Sequence, residues 1–277
     1  MEYIELRCTP KQKTEGQIEI LSAVLGELGF ESFIEDKDDL LAYIQSHLFS
    51  PSLLDDSLVS VFHGIVDFSW NLIPDQNWNR VWEENFQPVT INGQCRIRAP
   101  FHAPDKQIEY EIIIEPKMSF GTAHHETTAG MIKFILATDM KSKKVLDMGC
   151  GTGVLAILAA KKGATTVTAI DNDEWAYNNT IENCQRNNVQ WINVYLSDAS
   201  LLSGEHFDII LANINRNILL QDIPVYAGCL HHNGLLFLSG FYAEDLDAVN
   251  EKAISSGLEY LSHLEENKWI AASYRKK

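Results

Sequence analysis

Val145-Leu146-Asp147-Met148-Gly149-Cys150-Gly151-Thr152-Gly153 reads as an apolar strand breaking into a glycine-rich turn, and Ile170-Asp171 follows at the end of the next apolar run. Glycines at alternate positions let the backbone turn tightly and lie close to a ligand. An acid at the end of the following strand can accept hydrogen bonds from ribose hydroxyls. Together they predict a pocket for a nucleoside-bearing cofactor. Outward from this turn, short apolar runs alternate with helical stretches, the signature of an open parallel sheet covered on both faces. Strands are expected at 144–148, 165–170, 191–196, 208–212 and 234–239, with closing strands at 258–264 and 269–274. Helices are expected at 154–162, 174–186, 216–229 and 243–256, with Gly163 as a C-cap, Asp173 as an N-cap and Asn187-Asn188 as a terminating turn.

Two details favour S-adenosylmethionine over a dinucleotide. Asp147 stands before the first glycine, where a carboxylate would repel a pyrophosphate yet suit the ammonium and sulfonium of a methionine end. The dinucleotide fingerprint counted from Gly149 would also need a small residue at Val154. Gly149, Gly151, Asp147 and Asp171 are therefore the first candidate cofactor contacts.

A chain of 277 residues holds one large or two unequal domains. Its net charge of -16 argues against binding to a phosphate backbone and suits a basic partner, although excess acid also serves solubility. The five cysteines are scattered without a C-x-x-C pair, so neither a disulfide framework nor a zinc site is suggested. No run approaches the roughly 18 apolar residues needed to span a bilayer, and the N-terminus lacks the marks of a signal peptide. A cytoplasmic, monomeric protein that binds neither membrane nor metal is the expectation.

The first part of the chain has a different texture. It reads as a small α+β unit: a strand at 3–8, an amphipathic helix at 16–28, a hairpin from 32–35 and 40–44, and a strand at 59–68. The polar stretch 71–79, with Pro74, reads as a linker and hinge, which divides the chain into 1–70, 71–79 and 80–277. Short strands at 88–91, 95–99 and 110–114 precede the sheet proper.

Two further constellations carry chemistry. The loop Phe120-Gly-Thr-Ala-His-His-Glu-Thr-Thr128 leads into a helix at 129–136, with Thr127 or Thr128 as N-cap, and its polar residues can close over a ligand at the glycine turn. Asn213, in Leu211-Ala-Asn-Ile-Asn215, ends the fourth parallel strand, on the edge where ligands bind in such sheets, so it is placed to face the reactive end of the cofactor. Enzymes that methylate amides or base amines share Asn-Pro-Pro-aromatic there. This chain lacks the prolines and the aromatic, which argues against those substrates.

With Trp78-Asn-Arg-Val-Trp-Glu-Glu-Asn-Phe-Gln-Pro88, the Phe120–Thr128 loop, the glycine turn, Asp171 and Ala212-Asn-Ile214 in this order, the chain resembles the PrmA family of bacterial ribosomal protein methyltransferases, whose substrate is protein eleven of the large subunit. The resemblance runs from about Trp78 to the C-terminus. It implies a seven-stranded, mostly parallel, Rossmann-like class I methyltransferase domain behind a substrate-recognition unit. It also implies methyl transfer to lysine side chains and the N-terminal amine of a large-subunit ribosomal protein. Carried over by position, the cofactor contacts are Thr128, Gly149, Asp171 and Asn213. Ala123 stands where the family usually has glycine, and Asn215 where it usually has leucine. No residue identifies itself as a general base; His124, His125 and carbonyls beside Asn213 are the candidates. A class I methyltransferase acting on another protein or a small-molecule amine is the alternative, and a non-catalytic cofactor-binding protein a more distant one.

Overall fold

The computed structural model describes residues 2–11, 16–37, 39–73, 87–115, 120–121 and 123–277. The chain separates into two compact units, 1–85 and 86–277. In the first, β1 (Tyr3–Pro10), β2 (Ser32–Asp36), β3 (Asp39–Gln45) and β4 (Val66–Ile73) form an antiparallel sheet in the order β2-β3-β1-β4, with α1 (Gln17–Glu27) and a helical turn, α2 (Ser57–Ser60). Alternation decides its faces. Ile4, Leu6 and Cys8 lie opposite Ile44, Ala42 and Leu40, and all six are buried with Leu21 and Leu25 of α1.

The strand expected at 59–68 is corrected. Val59 and Ser60 belong to α2, whose Val59 and Ser60 amides donate to the Asp56 carbonyl, and Gly64 at φ 88° separates this turn from β4. An apolar run alone does not distinguish a buried helical turn from a strand. Residues 71–73 of the expected linker are strand, paired with Glu5, Ile4 and Tyr3 of β1. Its remainder, 74–79, and residues 78–86 of the tryptophan-containing motif lie outside the described residues.

The second unit opens with a three-stranded sheet, β5 (Val89–Ile91), β6 (Cys95–Arg98) and β7 (Tyr110–Ile113), then α3 (Glu126–Ala137). The large sheet comprises β8 (Lys144–Met148), β9 (Thr166–Asp171), β10 (Asn193–Leu196), β11 (Phe207–Asn213), β12 (Leu230–Tyr242), β13 (Leu258–Glu266) and β14 (Trp269–Lys276). Their order is β10-β9-β8-β11-β12-β14-β13, parallel from β10 to β12 and antiparallel at β14 and β13. The connecting helices are α4 (Val154–Lys161), α5 (Glu174–Arg186), α6 (Arg216–Cys229) and α7 (Leu246–Ser255). Val145, Ile209 and Leu211 pack with α3 and α4 on one face, while Leu146, Ile210 and Ala212 pack with α6 and α7 on the other. Covering both faces makes these strands continuous apolar runs rather than alternating ones.

Several boundaries follow from capping. Asp173 caps α5 through the amides of Trp175 and Ala176, as expected, and Gly163 ends α4 at φ 96°. At α3 the expectation fails: the N-cap is His125, whose Nδ1 accepts the Thr127 amide, so Thr127 and Thr128 lie inside the first turn. An imidazole nitrogen here takes the role usually given to a hydroxyl or carboxylate.

Polar side chains on α5 and at its C-cap hold the small sheet in place. Asn187 accepts the Ile113 amide at 2.9 Å and donates to the Ile113 carbonyl at 2.6 Å. Asn183 accepts the Glu115 amide at 2.9 Å and donates to the Thr152 carbonyl and to Asn179. These side chains are almost fully buried, so each bond removes a desolvation penalty of about 1–3 kcal/mol.

Candidate functional site

The glycine turn lies between β8 and α4, at the carboxyl edge of the sheet, and its backbone is crowded. A side chain at Gly149 would collide with Ile214, and one at Gly151 with the Phe120 carbonyl; both positions have positive φ, at 70° and 57°. Thr152 fastens the 120–121 segment to the turn, its amide donating to the Phe120 carbonyl at 2.9 Å and its hydroxyl to the Gly121 carbonyl at 2.8 Å.

Asp171, at the end of β9, spans two backbone segments. One carboxylate oxygen accepts the Gly151 amide at 2.9 Å and the other the Asp173 amide at 3.0 Å. It thus fixes the turn and also lines a cavity of about 640 Å³ at the same edge. Gly149, Gly151, Asn213, Phe120 and Met148 line it too. This volume lies in the range of small-molecule sites.

Asn213 ends β11 and donates through Nδ2 to the Thr128 hydroxyl of α3 at 3.2 Å. Its Oδ1 is buried and has no partner. A buried amide oxygen without a donor is costly, so this atom marks a place where a ligand N–H belongs. Thr128 is buried behind Asn213 and outside the cavity wall. Asn215, the neighbouring departure from the family pattern, caps α6 by accepting the Ile218 amide.

Asp147 is fully buried behind the turn and is not on the cavity wall. Its Oδ2 accepts the Ala156 amide at 3.0 Å, and Oδ1 has no partner. Burial pushes its carboxyl up to about 7, the Ala156 amide opposes this, and the charge of Asp171 adds to it.

Of the histidines, His125 lies outside this cavity. Its ring lies tilted against that of Phe120, with centroids 5.3 Å apart, and it lines a second cavity of about 330 Å³ with His124, Glu126, Lys133 and Glu266. His124 donates through Nε2 to the Gln87 carbonyl at 2.9 Å. Ala123 holds φ 66°, a left-handed conformation that costs an alanine roughly 1–2 kcal/mol, which accounts for the glycine usual in the resembling family. Thr122 of this loop lies outside the described residues. No group of three metal-ligating side chains occurs among the described residues. Burial raises the thiols of Cys8, Cys95 and Cys184 to about 12, which removes them as nucleophiles.

Sequence reasoning missed part of the wall. Ser197, Asp198 and Ala199 follow β10, Trp175 opens α5, and Ile218 and Asp222 come from α6. Asp198 lies two residues past the carboxyl end of β10, so the rule that ligands sit outside the carboxyl ends of the strands would have found it. The residues present fit S-adenosylmethionine: a turn without side chains for close approach and acids at or just past two strand ends for hydroxyl and amine groups, with the unpartnered acceptor of Asn213 left for the group that meets its reactive end.

Comparison with known proteins agrees with this geometry. The family described as ribosomal protein L11 methyltransferase (PrmA) matches residues 12–277. The ribosomal protein L11 methyltransferase of Phocaeicola vulgatus is 45% identical over 99% of both chains. That of Porphyromonas gingivalis is 46% identical over 99% of this chain and 98% of its own. Among solved structures, ribosomal protein L11 methylase from Lactobacillus delbrueckii subsp. bulgaricus aligns with a TM-score of 0.65 at 26% identity, covering 69% of this chain and 100% of its own.

Proposed function

The chain belongs to the ribosomal protein L11 methyltransferase (PrmA) family and is an S-adenosylmethionine-dependent methyltransferase; from this premise we propose that it methylates lysine side chains and the N-terminal amine of ribosomal protein L11. The observation that carries the reading is the unpartnered Oδ1 of Asn213, at the carboxyl edge of the sheet beside a glycine turn shaped for close ligand approach. When bound, S-adenosylmethionine supplies an electrophilic methyl group on a sulfonium. Gly149, Gly151 and Asp171 would hold its nucleoside and methionine portions, with Thr128 orienting Asn213 and Asp147 acting on the turn from behind. Asn213 would accept an N–H of the incoming amine and align its lone pair. Positioning of this kind supplies most of the acceleration available to a displacement in line with the leaving sulfur.

The amine must arrive neutral. For a lysine of ordinary pKa this costs on the order of 4–5 kcal/mol at pH 7, and for an α-amine about 1–1.5 kcal/mol. Surface acid recruits a basic protein, while an acceptor that is a neutral amide avoids holding the ammonium charged. Asn213 serves that purpose better than a carboxylate would. His125 is committed as the α3 cap and lies off the cavity wall, so its part in proton removal would be indirect.

The first unit would recognise the ribosomal protein, and the second perform the transfer. No helix among the described residues is long and apolar enough to cross a membrane, and action on a ribosomal protein would put the enzyme in the cytoplasm. The test is methyl transfer from labelled S-adenosylmethionine to unmethylated L11, with sites mapped by mass spectrometry. Label on lysine and on the N-terminal amine is expected; cofactor binding without label on L11 would redirect the substrate to another protein or a small amine.

A further inference from the structure

The wall of the cofactor cavity holds a buried acid that methyl transfer does not use. Strand order fixes where it lies along the cofactor. At the carboxyl edge the strands run β11, β8, β9, β10, so Asn213, the glycine turn, Asp171 and the segment Ser197–Ala199 follow one another along the wall. The Ser197 amide donates to the Asp171 carbonyl at 2.9 Å. Asn213 marks the reactive end and Asp171 the ribose, which puts the base of the nucleoside beside Ser197, Asp198 and Ala199. Helix α6 brings Ile218 and Asp222 to the same wall. It packs directly on this segment, with Leu219, Ile223 and Tyr226 in one core with Ala199 and Leu202.

Asp222 is only 8% exposed. Its Oδ2 accepts the hydroxyl of Tyr226, one turn on, at 3.2 Å, and Oδ1 has no partner among the described residues. Tyr226 is fully buried, and burial together with the charge of Asp222 pushes its phenol up, so it keeps its proton and donates. That single bond does not offset the cost of burying a carboxylate. Burial pushes the Asp222 carboxyl up, the Tyr226 hydroxyl opposes this, and the charge of Asp198 adds to it. A ligand N–H at Oδ1 would supply the missing partner. Asp198, by contrast, is exposed and already accepts the Ser200 amide at 2.9 Å.

We propose that Asp222 reads the base of the cofactor, its free oxygen accepting an N–H of the adenine amine, so that α6 sets the choice of adenosine over other nucleosides. Adenine carries an amine donor at its exocyclic position, and hypoxanthine a carbonyl acceptor. A carboxylate fixed there binds the first and repels the second. Tyr226 gives this pairing a converse. In Asp222→Asn the buried hydroxyl still needs an acceptor, so the amide oxygen stays on Tyr226 and the amide NH2 takes the place of Oδ1. The acceptor facing the base becomes a donor. This variant gains affinity for the wrong base, which damage to the fold cannot produce.

Calorimetry on the full chain, comparing S-adenosylhomocysteine with S-inosylhomocysteine, tests the assignment. The wild type is expected to favour the adenosyl ligand at least about 100-fold. Asp222→Asn should cut that ratio roughly tenfold or more, in part by binding the inosyl ligand more tightly than the wild type does. Asp222→Leu, which offers neither donor nor acceptor, should weaken adenosyl binding about tenfold without the gain for the inosyl ligand. An Asp222→Asn variant that keeps the wild-type ratio, or that binds the inosyl ligand no better than the wild type, would overturn the role of Asp222. A wild type that binds both ligands equally would overturn it too. Neither ligand involves L11, so the outcome does not depend on which amine the enzyme methylates.

Discussion

Replacing Asp147 by asparagine should flatten the dependence of stability on pH in a defined window. The carboxyl is fully buried, one oxygen has no partner, and its pKa is pushed from 3.8 up to about 7. The folded state therefore holds this proton where the unfolded chain has released it. The stabilisation is complete below the unfolded pKa and is lost as pH rises through about 7, with nothing further to lose above it. The whole span is on the order of 4 kcal/mol, and more than half of it falls between pH 5 and 8. Asparagine keeps the shape and the acceptor for the Ala156 amide but cannot titrate. It adds a buried donor whose cost, about 1–3 kcal/mol, is the same at every pH. Urea unfolding without cofactor at closely spaced pH values, with the transitions of the two units fitted separately, isolates the effect. The wild type minus Asp147→Asn difference should fall by roughly 1.4 kcal/mol per pH unit across the middle of the window. Parallel curves from pH 5 to 8 would mean that Asp147 titrates near its ordinary value and that burial does not govern it.

Other outcomes follow from the same contacts. Gly151→Ala places a methyl against the Phe120 carbonyl in a left-handed backbone and should weaken cofactor binding at least about tenfold with the fold intact, as read by calorimetry and circular dichroism. Asp171→Ala removes the acceptor of two backbone amides and should lower cofactor affinity roughly 10- to 100-fold; an unchanged Kd would show that the turn holds itself. Asn213→Ala should reduce kcat on the order of a hundredfold while cofactor Kd moves little, and a loss confined to Kd would reassign the residue to cofactor binding. Asn183→Leu strands the Glu115 amide and Thr152 carbonyl and should cost about 2–4 kcal/mol in denaturant midpoint experiments.

The large sheet was legible because its strands, buried on both faces, are unbroken apolar runs separated by amphipathic helices, and the glycine turn and Asp171 have a spacing that chemistry explains. The edges of elements were less so. A histidine cap at α3 hides behind two threonines that look better suited, and Val59 lies in an apolar run whose break at Gly64 only the backbone reveals. Asn213 was identified from its place at a strand end, yet its free oxygen is a property of packing. Asp198 was missed for a different reason: a short strand with exposed residues gave it little prominence.

Asn187, the C-cap of α5, has a consequence beyond positioning. A sheet of three short strands ends in a row of unsatisfied donors and acceptors, which is a template for a strand from another molecule. At Ile113 a single carboxamide occupies both backbone groups in the way a neighbouring strand would. The end of the helix thereby occupies, at this position, an edge that could otherwise pair with a second chain.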